Sequence, residues 1–251
     1  MDGGNASFLA QSQVIFSFGI GLYSYLRFLS VVQEGCVERV RNANSLTLGL
    51  AGFFALLLGS ALGVAASQSS APVPDLDPRE AFGSKTAPIV MEVFSDFQCP
   101  ACKTLFMTTN RQLMDNYVST GRVYLVHRDF PLPMHAHSQV AAQYSRAAAQ
   151  IGKFEPVEQA LFENQERWEQ TGDVDGTVAA ALSPAEMTKV RALVKSGSMN
   201  ALIQKDVALG KLYNVNQTPT TVFHSKGQTF PYGGVMSYDI LRNFLDQLAK
   251  Q

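Results

Sequence analysis

The spacing of apolar and polar residues changes period along the chain, and the changes predict the order of the elements. An apolar run of strand length, from Ile89 to Ser95, is followed by apolar residues at helical spacing up to Gly121. A second apolar run then extends from Arg122 to His127. A strand, a helix and a strand in so short a stretch predict a right-handed crossover with the two strands parallel.

The pattern from His135 to about Val215 is helical throughout. One helix start within it is clearly marked, because Ser183, Pro184 and Glu186 form a capping box with proline at the first helical position. This block therefore predicts several consecutive helices and no strand.

A hairpin and a closing helix are predicted after the helical block. Lys226 and Gly227 lie between two short strand-like runs, 220–224 and 228–231, which is typical of a β-hairpin turn. The last segment, 237–250, has helical spacing. Its expected core-facing residues are Ile240, Leu241, Phe244 and Leu248. The predicted order is thus β-α-β, helices, β-β-α.

The N-terminal 66 residues have a different pattern, because Ser45 to Ala66 is uncharged and long enough to cross a bilayer as a helix. Arg39 and Arg41 before it are typical of a cleavable signal peptide. An uncleaved anchor is the alternative, with Val14 to Leu26 as a possible second span. A third interpretation is that translation starts at Val40, since valine triplets can initiate in bacteria. All three place residues 67–251 outside the cytoplasm.

Composition excludes several classes of protein. The 20 Lys and Arg residues nearly balance the 21 Asp and Glu residues, which gives a formal charge of -1 and no basic field for nucleic-acid phosphates. Three cysteines in 251 residues are too few for a disulfide-dense scaffold. We therefore expect a globular domain that does not bind nucleic acid.

The candidate chemistry is the sequence Cys99-Pro100-Ala101-Cys102, at the junction of the first strand and its helix. Cys99 takes the N-cap position and Pro100 the first helical position, so the amides of Ala101 and Cys102 are free to point at the Cys99 sulfur. These donors and the helix dipole favour the thiolate. Cys102 lies one turn inside the helix, where it can attack a mixed disulfide on Cys99.

The cysteine pair has two other interpretations, a zinc site and a pair of inert thiols. A zinc site needs four ligands, and His135 and His137 would have to complete it without a second pair of cysteines. The second alternative is a pair of buried thiols without chemical reactivity. A Cys-x-x-Cys pair at the mouth of a strand-helix-strand unit, in an exported chain, favours redox chemistry over both.

The motifs resemble those of the DsbA-like thiol:disulfide oxidoreductases of the thioredoxin superfamily. The resemblance covers about residues 75–250. The segments that support it are GSKTAPIV (83–90), FSDFQCPAC (94–102), HRDFPLPMHAHS (127–138) and VNQTPTTVFHSKG (215–227). It implies an α/β thioredoxin fold with an inserted all-helical domain, preceded here by one or two hydrophobic segments. The expected boundaries are 1–66 for the signal or anchor, 67–80 for a tether, 81–134 and 200–251 for the thioredoxin-like domain, and 135–199 for the helical insertion.

The resemblance also implies roles for individual residues. Cys99 is the expected nucleophile, Cys102 the resolving thiol, and Pro219 a cis-proline that faces them, with Thr218 before it in contact with substrate. Glu92 corresponds to a buried carboxylate that exchanges a proton behind Cys102, although the match requires one extra residue in the turn. The alternative for Glu92 is an exposed position at a sheet edge.

Asp96 and the histidines are expected to have structural rather than catalytic roles. We expect Asp96 to end the strand. The histidines are expected on the surface or in loops: His127, His135, His137 and His224.

The sequence therefore predicts an exported protein-disulfide oxidoreductase that donates its Cys99–Cys102 disulfide to reduced or misoxidised client proteins, without metal or cofactor. The alternatives are a reductase or isomerase, and a redox-inactive, membrane-tethered peptide-binding module. We expect a periplasmic or extracytoplasmic location, a membrane partner that reoxidises the protein, and attachment to or release from the membrane through the N-terminal segment. We also expect a monomer that oxidises rather than isomerises, because the chain leaves no room for a dimerisation domain.

Overall fold

The computed structural model describes residues 76–250, which form a five-stranded mixed sheet with helices packed on both faces. The strands are β1 (Ala81–Phe82), β2 (Ile89–Ser95), β3 (Val123–Asp129), β4 (Thr220–Ser225) and β5 (Gln228–Gly233). Their order across the sheet is β1-β3-β2-β4-β5. The two longest apolar runs of the sequence, β2 and β3, thus lie side by side in the centre.

Strand pairing follows the predicted pattern. β2 and β3 are parallel, and β4 runs antiparallel to both β2 and β5. The β4–β5 hairpin turns at Lys226 and Gly227, which have φ angles of 48° and 76°. Positive φ at both positions is what a two-residue hairpin turn requires. β1, which the sequence did not predict, adds an antiparallel edge to β3.

The helices also follow the predicted order. α1 runs from Pro100 to Val118 in four successive segments, of which Phe106–Asn110 and Met114–Val118 are π-helical. Between β3 and β4 lie α2 (Ser138–Gln150), α3 (Phe154–Glu163), α4 (Gln165–Thr171), α5 (Val174–Ala181), α6 (Pro184–Lys195) and α7 (Met199–Leu212), and α8 (Tyr238–Lys250) follows β5. The capping box at the start of α6 is confirmed, since Ser183 and Glu186 each bind the other's backbone amide.

The alternation of side chains along β2 separates two cores. Met91 and Val93 face a core shared with α1 and α8, whereas Phe94 faces the opposite side, where it packs with residues of β4 and with Val215. A third core lies among α2–α7 and includes Cys99 and Cys102. The helices between β3 and β4 therefore cover the Cys-x-x-Cys pair.

Two details of the sequence prediction are wrong. Ile240 is 55% exposed, and Leu245 takes its place in the core because Leu241, Leu245 and Leu248 form the buried face of α8. Ordered structure also begins before Ala81: Pro78–Glu80 forms a short 3₁₀ turn, and Glu80 is buried in an ion pair with Arg146. A buried carboxylate needs a partner of this kind. The ion pair therefore fixes the C-terminal end of the predicted tether against the rest of the fold.

Both predicted N-terminal hydrophobic segments lie outside the described residues. Within residues 76–250, no helix combines the length and the apolar character needed to cross a membrane.

Candidate active site

Cys99 and Cys102 lie at the N-terminus of α1, where the turn after β2 delivers them. Cys99 is the N-cap residue and Pro100 occupies the first turn, as the sequence predicts. Both cysteines are free thiols. Their exposed fractions are 7% for Cys99 and 2% for Cys102, so the Cys99 sulfur is the more accessible of the two.

The surroundings of Cys99 favour its thiolate. A hydrogen bond from the Cys102 thiol is the largest influence, and burial opposes it. Thr218 and the backbone amides of Cys102 and Ala101 add to the stabilisation, so that the pKa of Cys99 falls to about 5. At neutral pH a free thiol with this pKa is ionised, which is the reactive form for disulfide exchange.

The surroundings of Cys102 have the opposite effect. Burial raises the pKa of Cys102 well above its usual value, and the hydrogen bond and charge of Cys99 raise it further. One backbone amide, that of Asp96, donates to the Cys102 sulfur at 3.5 Å. The pair thus combines one thiolate, which is the more accessible of the two, with one protonated thiol beneath it.

The loop before β4 closes the other side of Cys99. The Thr218–Pro219 peptide bond is cis, as the sequence predicts. The Cys99 sulfur lies 3.3 Å from the Thr218 carbonyl oxygen. The loop is held by the Gly234 amide, which donates to the Pro219 carbonyl oxygen at 2.7 Å. Cys99, Cys102, Thr218 and Pro219 therefore form one site.

Glu92 lies outside this site, and the role expected for it behind Cys102 is wrong. Val93 and Ser95 line the same cavity as Cys102. Side chains alternate between the two faces along a strand, so Glu92, next to Val93, lies on the other face of the sheet. It is fully buried, which also excludes the exposed alternative. Its carboxylate accepts hydrogen bonds from Arg128 at 2.5 Å and pairs with His224 at 2.8 Å.

Asp96 does more than end the strand. Its Oδ1 accepts a hydrogen bond from the Gln98 amide at 2.8 Å. Its Oδ2 accepts one from the Leu132 amide at 2.7 Å and lies 2.8 Å from His135 Nδ1. Asp96 thereby fastens the loop after β3 to the turn that carries Cys99. Its place directly after a buried strand was the only signal in the sequence.

Gln165 is a second contact that the sequence did not reveal. Its side-chain amide donates to the carbonyl oxygens of Phe97 at 2.7 Å and Cys99 at 3.1 Å. It lies in α4, more than sixty residues away along the chain, so no local pattern points to the contact.

A cavity of about 490 Å³ lies behind Cys102, on the side of the sheet that faces α1. Ser95, His127 and Glu158 contribute its buried polar groups. The expected surface position of His127 is wrong: it is 5% exposed and lies in the middle of β3. His224 is also part of a strand, where Glu92 holds it.

Three buried carboxylates, those of Glu80, Asp129 and Asp206, converge at the edge of the sheet. Arg146 lies among them, with Nη1 2.8 Å from Glu80 and Nη2 2.7 Å from Asp129 and in contact with Asp206. The guanidinium already supplies the positive charge that these groups need. The cluster is an internal ion network and does not form a cation site.

Comparison with known proteins identifies relatives of this fold. The family model described as Thioredoxin matches residues 77–246. A probable disulfide bond formation protein D of Bacillus cereus is 36% identical over 53 residues, which are 21% of this chain and 24% of that protein. A Na(+)/H(+) antiporter NhaA 3 of Salinispora tropica is 28% identical over 151 residues, 60% of this chain and 22% of that protein. The chain thus spans less than a quarter of the length of these curated relatives.

The crystal structure of α-DsbA1 from Wolbachia pipientis superimposes with a TM-score of 0.59. The match covers 71% of this chain and 93% of that one, at 18% identity. The expected thioredoxin-like α/β fold is confirmed by this similarity together with the family match.

Proposed function

The chain belongs to the thioredoxin family, and from this premise we propose that it is a DsbA-like thiol:disulfide oxidoreductase that oxidises client proteins outside the cytoplasm. In this function the disulfide between Cys99 and Cys102 passes to a pair of client thiols. The protein then returns to its oxidised form through a separate membrane partner.

The placement of the two cysteines supports this proposal most strongly: Cys99 lies at the N-cap of α1 beside the cis Thr218–Pro219 bond, and Cys102 is buried behind it. A client thiolate attacks the Cys99 sulfur, and Cys102 leaves. The second client thiolate then attacks the mixed disulfide, and Cys99 leaves as a thiolate with a pKa of about 5. A thiol of low pKa is a good leaving group, so the client is released with its new disulfide.

Thr218 and Pro219 are proposed to hold the client during the exchange. The Thr218 carbonyl oxygen lies beside the Cys99 sulfur, so a client backbone that reaches Cys99 also reaches the backbone of this loop. Thr218 is 8% exposed, and its side chain is one of the groups that stabilise the Cys99 thiolate.

The remaining parts of the proposal concern organisation. We infer that α2–α6 act as an inserted helical domain, that residues 67–251 lie in the periplasm or on the extracytoplasmic face of the membrane, and that the protein works as a monomer.

Fractionation followed by N-terminal sequencing tests the location. A mature end near Ser67 or retention in the membrane is expected, whereas recovery only as a cytoplasmic species would contradict it.

Single cysteine variants test the exchange. Cys102→Ser, mixed with disulfide-containing clients, is expected to accumulate mixed disulfides, because the Cys99 thiolate attacks the client disulfide and the Cys102 thiol that would resolve the product is missing. Cys99→Ser is expected to form none, since Cys102 is buried. Non-reducing gels, with reduction as the control, separate the two outcomes. Equal trapping by both variants would contradict the assigned roles, and trapping by neither would favour a redox-inactive binding module.

A further inference from the structure

Two hydrogen-bond donors at the end of β2 reach the buried sulfur of Cys102. The backbone amide of Asp96 donates to this sulfur at 3.5 Å. The hydroxyl of Ser95, the last residue of β2, donates a second hydrogen bond to it. Ser95 is itself buried and lines the same cavity as Cys102. Two adjacent residues thus direct polar hydrogens at the sulfur of the second cysteine.

The surrounding loops hold these two donors in place. The peptide group that carries the Asp96 amide is fixed at its other end, because the Ser95 carbonyl oxygen accepts a hydrogen bond from the Phe130 amide at 2.8 Å. The Asp96 carboxylate accepts hydrogen bonds from the amides of Gln98 at 2.8 Å and Leu132 at 2.7 Å. Donors that are already oriented stabilise a developing charge without a cost of reorganisation.

The Cys102 sulfur becomes negatively charged when the disulfide opens, because it is the leaving group of that step. Burial is the largest influence on the pKa of Cys102 and raises it, whereas the contacts with the Asp96 amide and the Ser95 hydroxyl lower it. A thiol leaves faster when its pKa is lower. The two contacts therefore oppose the effect of burial at the moment when burial is most unfavourable.

We propose that Ser95 is a catalytic residue whose hydroxyl, together with the Asp96 amide, stabilises the negative charge on Cys102 as a client opens the disulfide. This inference rests on the proposed function. A client thiolate attacks the Cys99 sulfur, a sulfur–sulfur bond to the client forms, and the Cys99–Cys102 bond breaks. The electron pair leaves on the Cys102 sulfur, where both hydrogen bonds strengthen as the charge develops. Water then supplies the proton that Cys102 carries in the reduced protein.

His127, another buried polar side chain of the cavity, is engaged elsewhere. Its two ring nitrogens lie 3.2 Å from Glu158 and 3.4 Å from Asp129. Both of its polar atoms thus face carboxylates. These contacts leave Ser95, rather than His127, as the side chain that serves the Cys102 sulfur.

The experiment follows the opening of the disulfide in the oxidised full chain. Excess reduced glutathione is added at pH 7, samples are quenched in acid, and the initial loss of the disulfide is measured by mass spectrometry of the peptide that contains both cysteines. Ser95→Ala is expected to react about tenfold more slowly than wild type. This change corresponds to about 1.4 kcal/mol, near the low end for a hydrogen bond to a charged group.

Two further serine variants accompany this measurement. Ser95→Thr keeps the hydroxyl and is expected to react faster than Ser95→Ala. Ser145→Ala is the matched control, because it removes a buried serine hydroxyl that has no hydrogen-bond partner among the described residues and lies outside the cavity lining. It is expected to react at the wild-type rate.

A second reaction separates a catalytic role from a structural one. In the Cys102→Ser protein no leaving thiolate forms, so adding Ser95→Ala should leave the alkylation of Cys99 by iodoacetamide unchanged. Equal slowing of this alkylation would show that the variant disturbs the whole site, and would overturn the proposal. Opening of the disulfide in Ser95→Ala at the wild-type rate, or at the same rate as in Ser95→Thr, would also overturn it. Failure of wild type to react with glutathione would instead contradict the proposed function.

Discussion

At the residue scale, the two cysteines differ because of what surrounds each sulfur. Cys99 receives a hydrogen bond from Cys102 and the influence of free amides at a helix start, so its negative charge is stabilised. Cys102 is buried and interacts with the charge of Cys99, and these influences outweigh its long amide contact with Asp96, so its proton is retained. Two cysteines only three positions apart in the sequence can therefore take different roles, Cys99 as the attacking thiol and Cys102 as the resolving thiol.

Glu92 provides a prediction at this scale. Glu92→Gln removes one carboxylate from the buried Arg128, which also pairs with Asp206. Breaking a buried ion pair from one side costs about 3 kcal/mol or more of unfolding free energy. The pKa of Cys99 should stay at about 5, because Glu92 lies on the other face of the sheet.

Urea unfolding and thiolate absorbance against pH measure these two effects. Glu163→Gln is the matched control, since its exposed pair with Arg111 should contribute about 1 kcal/mol or less. A shifted Cys99 titration in Glu92→Gln would restore Glu92 to the active site.

The residues that sequence reasoning misplaced share one cause. Cys99 and Cys102 stand in a local motif, and the strand-to-helix junction that positions them is visible in the same nine residues. The face of the sheet on which Glu92 lies depends on the register of β2 with its neighbouring strands. One extra residue in the turn between β2 and Cys99 does not change that register. The burial of His127 depends on Glu158, which another element supplies. Local patterns do not contain such partners.

At the element scale, the helices after β3 support the active-site turn directly. Gln165 on α4 donates to the carbonyl oxygens of Phe97 and Cys99, on the turn that precedes α1. The Cys99 carbonyl oxygen also accepts a hydrogen bond from the Lys103 amide, whereas the Phe97 carbonyl oxygen accepts its hydrogen bond from Gln165. A helix far away along the chain thus holds the backbone on which the nucleophile stands.

Gln165→Ala is expected to destabilise the protein by about 1–3 kcal/mol, because a buried carbonyl oxygen loses its donor. Gln170→Ala, an exposed change on the same helix, should cost about 0.5 kcal/mol or less. Urea unfolding of the reduced proteins compares the two. Equal losses would show that the contact of Gln165 with the turn has no energetic role.

Element order was the most predictable feature of the fold. Period changes gave β2, α1, β3, the helical block, the hairpin and α8, because each element buries a stripe of its own residues. The two-residue β1 has too little length to produce a pattern. On α8 the core positions Leu241 and Leu248 were predicted correctly and Phe244 packs against the core, but Ile240 is exposed and the buried Leu245 was missed, because only packing distinguishes neighbouring apolar residues.

At the scale of the whole molecule, one ion network joins the parts that the sequence separates. Arg146 on α2 binds carboxylates from the 3₁₀ turn, β3 and α7. Arg128 on β3 connects the same network to Glu92 on β2. The helices are therefore tied to the sheet by charge as well as by apolar packing, and the cysteine pair lies between them.

The reduction potential of the Cys99–Cys102 pair, measured against glutathione buffers from pH 6 to 8, tests the central claim most directly. Stabilisation of the Cys99 thiolate favours the reduced protein above pH 5, and this contribution is lost as the pH falls through 5. We expect a potential closer to that of DsbA, about −120 mV, than to that of thioredoxin, about −270 mV. Because one proton accompanies two electrons, the potential should fall by about 30 mV per pH unit. A thioredoxin-like potential that falls by about 60 mV per pH unit would contradict the account, since both thiols would then be protonated and the protein would not act as an oxidant.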